Sequence, residues 1–390
     1  MRFTAADSAG TAPMDHHKVI CAYQLQERGK LMKSTVLVAA LACVGSVHAQ
    51  GSVTVYGVLD LGVWVQQKTP AAASARTNGG RLVSLNSGGL TPSVFGVRGE
   101  ETLGDSLKAT FNLESHLDPS SGAIGLGVYW ARAANIGLSG PWGTVKLGQQ
   151  LNPAVLGYLV TDPRGMRESF SGTQPWATSS AQNTGPGSAS PNNNLGFFAS
   201  NAISYQLSVE AVSGGVAYSL GEVSGNQRNN QLLAGYLTYS GPVTVSTAYH
   251  ESRWATTGEL SDRKSSLGAG FVMGPVNLKA NYLQAKQYAQ SGVTTGNWVI
   301  IGVGGDWALS AVDSLNAAVY RGKSRIGSDN AATSLVVGFE KNLSKRTTVY
   351  LQGAGIKAER NADFVVSLLG AQPVQGATTL VMNVGMRHRF

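Results

Sequence analysis

The feature that most limits what this chain can fold into is a strict two-residue period near its start. Val53, Val55, Gly57, Leu59, Leu61, Val63 and Val65 share one parity, and Thr54, Tyr56, Val58, Asp60, Gly62 and Trp64 share the other. One face is apolar and the other mixed, which is the signature of a strand. Soluble strands average about 5–6 residues. An alternation this long suits a tilted strand crossing a bilayer. The composition agrees. Only 13% of the 390 residues are charged, 49 are glycine, and the mean hydropathy is −0.03. Bundled apolar helices would not average to zero, whereas finely alternating apolar and polar residues do.

The pattern recurs along the chain. Leu107, Ala109, Phe111 and Leu113 alternate with Lys108, Thr110, Asn112 and Glu114. Similar sets run through 243–250, 276–283 and 379–390. Tight turns mark one end of each hairpin: Leu103-Gly104-Asp105, Gly140-Pro141-Trp142-Gly143, Gly241-Pro242, Gly274-Pro275, 310–313 and 342–345. Gly and Pro supply the dihedrals such turns need. Longer polar connections mark the other end, at 68–80, 116–127, 221–229, 255–262, 325–330 and 359–376. Short turns on one rim and long loops on the other are the asymmetry of an outer-membrane barrel. The spacing predicts sixteen strands: 52–67, 81–101 (irregular), 106–115, 128–139, 143–150, 199–206, 210–220, 230–240, 242–254, 263–273, 276–288, 296–308, 314–324, 332–342, 346–358 and 377–390. The expected fold is all-β, a sixteen-stranded antiparallel transmembrane barrel. Lipid offers backbone groups no partner, so such a sheet must close on itself. Sixteen strands enclose a lumen too wide for side chains to fill. Residues 151–199, rich in Pro, Gly, Ser and Asn, interrupt the rhythm. An insertion of that length points to function.

Upstream of the barrel, Lys30 and Lys33 flank Met32, an apolar run follows from Val36 to Val44, and Val47-His48-Ala49 precedes Gln50. This is the layout of a secretory signal, and the run is too short to span a membrane. We expect 32–49 to be a cleaved signal peptide and 1–31 a non-native extension upstream of a start at Met32. The barrel is then 50–390. Cys21 and Cys43 both fall in the removed part, so the mature chain has neither a disulfide nor a Cys-zinc site. Residues 1–49 carry five Lys/Arg and three Asp/Glu, so the net charge falls from +8 to +6. No Lys/Arg run suggests a nucleic-acid partner.

Several blocks together resemble the general porins of β-proteobacterial outer membranes: Gln50-Gly51-Ser52-Val53-Thr54-Val55-Tyr56-Gly57-Val58-Leu59-Asp60, Phe95-Gly96-Val97-Arg98-Gly99-Glu100-Glu101-Thr102-Leu103-Gly104, Ile136-Gly137-Leu138-Ser139-Gly140-Pro141-Trp142-Gly143, Asn201-Ala202-Ile203-Ser204-Tyr205 and the ending Gly385-Met386-Arg387-His388-Arg389-Phe390. The resemblance implies a homotrimer that passes ions and small hydrophilic solutes. It implies that 151–199 folds into the lumen as a constriction loop. It also implies that Phe390, with Met386 and His388 at alternate positions before it, is read by the barrel-insertion machinery. Outer-membrane lipids would surround the barrel. The chain departs from the family pattern at Val94 and at Gly148-Gln149-Gln150, where many members carry arginines, and its loop lacks the usual short acidic motif.

Fixed charges at a constriction set ion preference. By parity Arg98, Lys108 and Lys146 face inward. Arg132 matches a family position, but its parity follows Ile136 and Leu138, so it reaches the lumen only through a bulge or at a strand end. The loop offers Asp162, Arg164, Arg167 and Glu168. These bases and the net charge predict weak anion preference. Two other readings compete: a substrate-selective channel with Trp176, Phe197 or Phe198 stacking on a ligand, and a plugged structural or adhesive barrel working through loops such as 68–80. No catalytic residue, cofactor or metal is expected. Gly322-Lys323-Ser324 lacks the upstream glycine of a phosphate loop, Gly268-x-Gly270 lies inside a strand, and His116, His250 and His388 are scattered. N-terminal sequencing of the exported protein should return Gln50-Gly51-Ser52; any other mature start refutes the assigned cleavage site.

Overall fold

The computed structural model describes residues 51–70, 78–177, 193–194, 196–362 and 373–390. The expected extension and signal, 1–49, lie outside the described residues, as do parts of three long connections. Sixteen strands cross the barrel. They are β1 (Ser52–Pro70), β2 in two segments (Asn78–Ser87 and Val94–Gly104), β3 (Leu107–Asp118), β4 (Ala133–Gly140), β5 (Gly143–Leu151), β6 (Phe198–Val209), β7 (Val212–Ser219), β8 (Leu232–Ser240), β9 (Val243–Arg253), β10 (Leu260–Met273), β11 (Val276–Tyr288), β12 (Thr294–Ala308), β13 (Asp313–Ser324), β14 (Ala331–Asn342), β15 (Thr347–Ala358) and β16 (Thr378–Arg389). Each pairs antiparallel with its neighbours, and β16 pairs with β1 from Val58↔Arg389 to Gln66↔Val381. The sheet therefore has no free edge.

Exposure follows the two-residue period. On β14, Leu335 and Val337 are half exposed while Val336 between them is buried. The exposed set is apolar on strand after strand: Val53, Val63, Ile136, Leu147, Val216, Leu267, Val303, Leu351 and Val384. An apolar surface of this extent belongs against lipid. Met386, His388 and Phe390 all point outward with it. At the seam the Phe390 amide donates to Gly57 O and the Gly57 amide to Phe390 O, both at 3.1 Å. The Phe390 ring lies over Gly57, where a side chain would collide with it and with Val94 O, 2.8 Å from the Cβ position.

The structure differs from the sequence reading at two strands. β4 begins at Ala133, not 128, because residues 125–127 form a 3₁₀ turn and 128–132 are irregular. β2 leaves the ladder at 88–93. There the amides of Gly89, Leu90 and Thr91 donate to the Asp60 carboxylate at 3.0, 2.8 and 2.9 Å, so a side chain replaces the missing backbone partners. Gly57→Val should cost roughly 1–3 kcal/mol through overpacking at the seam, read as a lower midpoint in heat or urea unfolding.

Candidate permeation path

One inner wall is built from the inward parity of β1–β6. Register places Thr54 beside Arg98, Arg98 beside Asn112, and Asn112 beside Asn135. The Arg98 guanidinium sits over the Tyr56 ring, 5.1 Å from its centre. The Tyr56 hydroxyl donates to Asn112 Oδ1 at 2.9 Å and Glu114 Oε2 at 2.8 Å. Arg132, just before β4, turns inward: its Nε pairs with Glu114 Oε1 at 2.6 Å, and its guanidinium lies 5.2 Å from the centre of the Phe198 ring. Lys146 faces the same recess of about 570 Å³ as Arg98, with Asn135, Thr144 and Gln206. Lys108 pairs with Glu100 at 2.6 Å, and both are exposed.

The opposite wall is covered by the loop after β5. Asn152 caps helix α1 (Pro153–Thr161): its Oδ1 accepts from the Ala154 amide at 3.0 Å, with proline at the first helical position. The helix packs on β8–β10. Gly157 allows the close approach, since a Cβ there would lie 2.8 Å from Ala248 Cβ and 2.9 Å from Tyr236 Cβ. Ser246 Oγ donates to Gly157 O at 3.1 Å. Past the helix, Asp162 accepts from the amides of Arg164 (3.0 Å) and Met166 (2.7 Å), from Ser171 Oγ (3.1 Å) and from the Tyr320 hydroxyl on β13. Asn281 Nδ2 donates to Thr173 Oγ1 at 2.9 Å, and Asn383 Nδ2 to Ser169 Oγ at 3.2 Å. Trp64 stacks on Phe170 and Trp298 on Trp176. The amides of Glu168 and Ser169 donate to Leu90 O and Gly89 O at the break in β2.

The structure thus brings Arg98, Arg132 and Lys146 onto one wall and Asp162, Arg164, Arg167 and Glu168 onto the loop facing away from or into it. Asp162 and Arg164 are fully buried between loop and barrel. Arg164 donates to Gln352 on β15, so these two hold the loop where the sequence suggested channel-facing charges. Arg167 bridges to Glu340 at 2.6 Å and Asp306 at 2.9 Å. Parity reasoning passed over Asp306, Glu340, Lys279 and Arg387, which all face inward on β11–β16. The signal was present in their parity, but nothing in the sequence tied them to the loop. Trp176, Phe197 and Phe198 pack against protein, Phe197 lying 5.8 Å from Phe198. Gly322-Lys323-Ser324 lies in β13 and Gly268-x-Gly270 in β10. Among the described residues no group of three or more His, Cys, Asp or Glu is placed to hold a metal.

Glu168 lies buried on the loop, beside the break in β2. Burial pushes its carboxyl up to about 8, with the Arg132 guanidinium opposing this and the Asp60 carboxylate adding to it. At neutral pH it is mostly protonated, and it gains a negative charge as the pH rises through 8.

A family model described as Gram-negative porin matches residues 34–361. The sequence is 29% identical over 376 residues to outer membrane porin protein 32 of Delftia acidovorans, covering 92% of this chain and 100% of that one. It is 27% identical over 421 residues to an outer membrane porin protein of Bordetella pertussis, with the same coverage. Among solved structures, the anion-selective porin from Comamonas acidovorans superposes with a TM-score of 0.71 at 24% identity, covering 87% of this chain and 100% of that one. The trimer form of OmpT from Vibrio cholerae gives 0.60 at 15% identity, covering 87% and 99%.

Raising the pH from 7 to 9 should shift the reversal potential in a salt gradient toward cations, and Glu168→Gln should remove the shift. Indistinguishable pH profiles for the two proteins would refute an ionisation of Glu168 near pH 8 that the permeating ions sense.

Proposed function

The chain belongs to the Gram-negative porin family and is an outer-membrane channel, and on that footing we propose passive diffusion of ions and small hydrophilic solutes with a weak preference for anions. One observation carries the preference. The acids of the inner wall are engaged: Glu100 by Lys108, Glu114 by Arg132, and Asp306 and Glu340 by Arg167. Asp60 is held by three amides and the Tyr350 hydroxyl. Arg98 and Lys146, by contrast, have no ion-pair partner among the described residues, and they share one recess with Glu100, which Lys108 already engages. The surplus field inside is positive. The Comamonas relative is named for anion selectivity, and the same preference is assigned here on this chain's own charges.

The other expectations follow as proposals. The barrel works as a homotrimer, as the trimer form of OmpT does. Residues 32–49 export the chain. Phe390, outward at the seam with Met386 and His388 in the same parity, is the mark read by the insertion machinery.

An ion passing about 8 Å from the Arg98 guanidinium in a water-like dielectric feels about 0.5 kcal/mol, cut by salt screening to about 0.2 kcal/mol, favourable for an anion and unfavourable for a cation. Arg98→Ala should therefore lower the anion-to-cation permeability ratio about twofold in planar bilayers. Arg325→Ala, on an exposed connection, should leave the ratio unchanged. Clear cation selectivity of the unaltered protein would refute the proposal.

A further inference from the structure

We propose that a small inorganic anion of the halide class binds between His250 and Lys264, at the foot of helix α1. The two residues are directly opposed partners on β9 and β10, and each is only 1% exposed. The Lys264 ammonium is the charged neighbour of the imidazole.

The hydrogen bonds around them fix which groups are donors. Asn152 Oδ1 is committed to the Ala154 amide, so Asn152 Nδ2 is the group that meets His250 Nδ1 at 2.8 Å. An amide nitrogen only donates, so Nδ1 accepts and the imidazole carries its proton on Nε2. His250 Nε2 and Lys264 Nζ are both buried, and neither has a hydrogen-bond partner among the described residues. Asp262, two residues before Lys264, accepts from Ser252 Oγ at 3.0 Å and attracts the ammonium without hydrogen-bonding to it.

Two opposed residues therefore each carry a buried donor with no acceptor among the described residues, and leaving them so is costly. A water there would accept from both and still have two hydrogens to place. An anion is acceptor-only and satisfies both groups. The N-terminal turn of α1, anchored through Asn152 on the same imidazole, adds a favourable dipole end. The anion is a structural ligand that ties the loop's first turn to the wall. It lies apart from the Arg98 recess, so conduction and this site can fail independently.

The test uses the full-length purified protein. Crystals grown in sodium bromide should show an anomalous peak within hydrogen-bonding reach of His250 Nε2 and Lys264 Nζ, absent in Lys264→Met. In solution, replacing gluconate by chloride at equal ionic strength should raise the thermal midpoint of the unaltered protein and leave that of Lys264→Met unmoved. A site holding only a non-anomalous solvent peak overturns the proposal. So does a bromide peak without any chloride dependence of stability, which marks an adventitious ion only. If Lys264→Met does not fold, the bromide peak and the chloride dependence of the unaltered protein decide alone.

Discussion

Every backbone amide and carbonyl that crosses lipid must find a partner inside the protein, and the rest of this structure depends on that requirement. It closes the sheet by pairing β16 with β1 and ends the chain on the reciprocal bonds between Gly57 and Phe390. It also explains how the ladder opens in β2. Where β2 departs at 88–93, Asp60 supplies the missing acceptors from the next strand, and the Tyr350 hydroxyl donates to the same carboxylate at 2.7 Å. The carbonyls of Gly89 and Leu90, turned away from β1, accept from the loop tip. One buried carboxylate thus seals the wall and creates the mooring for the loop after β5.

The strands were legible because the bilayer enforces a period of two over long stretches, and turn residues mark their ends. Most ends agree with the sequence reading within a few residues. The break in β2 was visible only as irregular alternation, because the residue that compensates for it, Asp60, lies about thirty positions away. Helix α1 was not read. Its residues Ala154, Val155, Gly157, Tyr158 and Thr161 are buried on several sides at once between loop and barrel, so no single apolar stripe announces it. The Asn152-Pro153 cap was the available signal.

The candidate site was legible only in part, for a related reason. Parity tells which side of the wall a residue occupies, and it put Arg98, Lys108 and Lys146 inward. It says nothing about which charges neutralise one another. Arg167 meets Glu340 across 173 residues and Arg164 meets Gln352 across 188. Such pairs follow from where the loop lies in the closed barrel. Asp162 illustrates the cost of reading charge without geometry: its carboxylate accepts from two amides, a serine and a tyrosine, and organises the turn after α1 instead of facing ions.

The two departures from the family pattern take on a physical meaning in this setting. Val94 is buried where β2 resumes after its break, and Gln149 donates to Ala131 O at 2.6 Å while its own carbonyl accepts from Asn135 Nδ2 at 2.7 Å. Neither position leaves an unsatisfied group, so each neutral residue is fully integrated. Of the inward cations, Arg132 is matched by Glu114 and Arg167 by two acids. The uncompensated charge on this wall lies instead at Arg98, four residues or about 13 Å further along β2 toward the short-turn end, with Lys146 in the same recess. Arg98 is exposed, so water and salt screen its field.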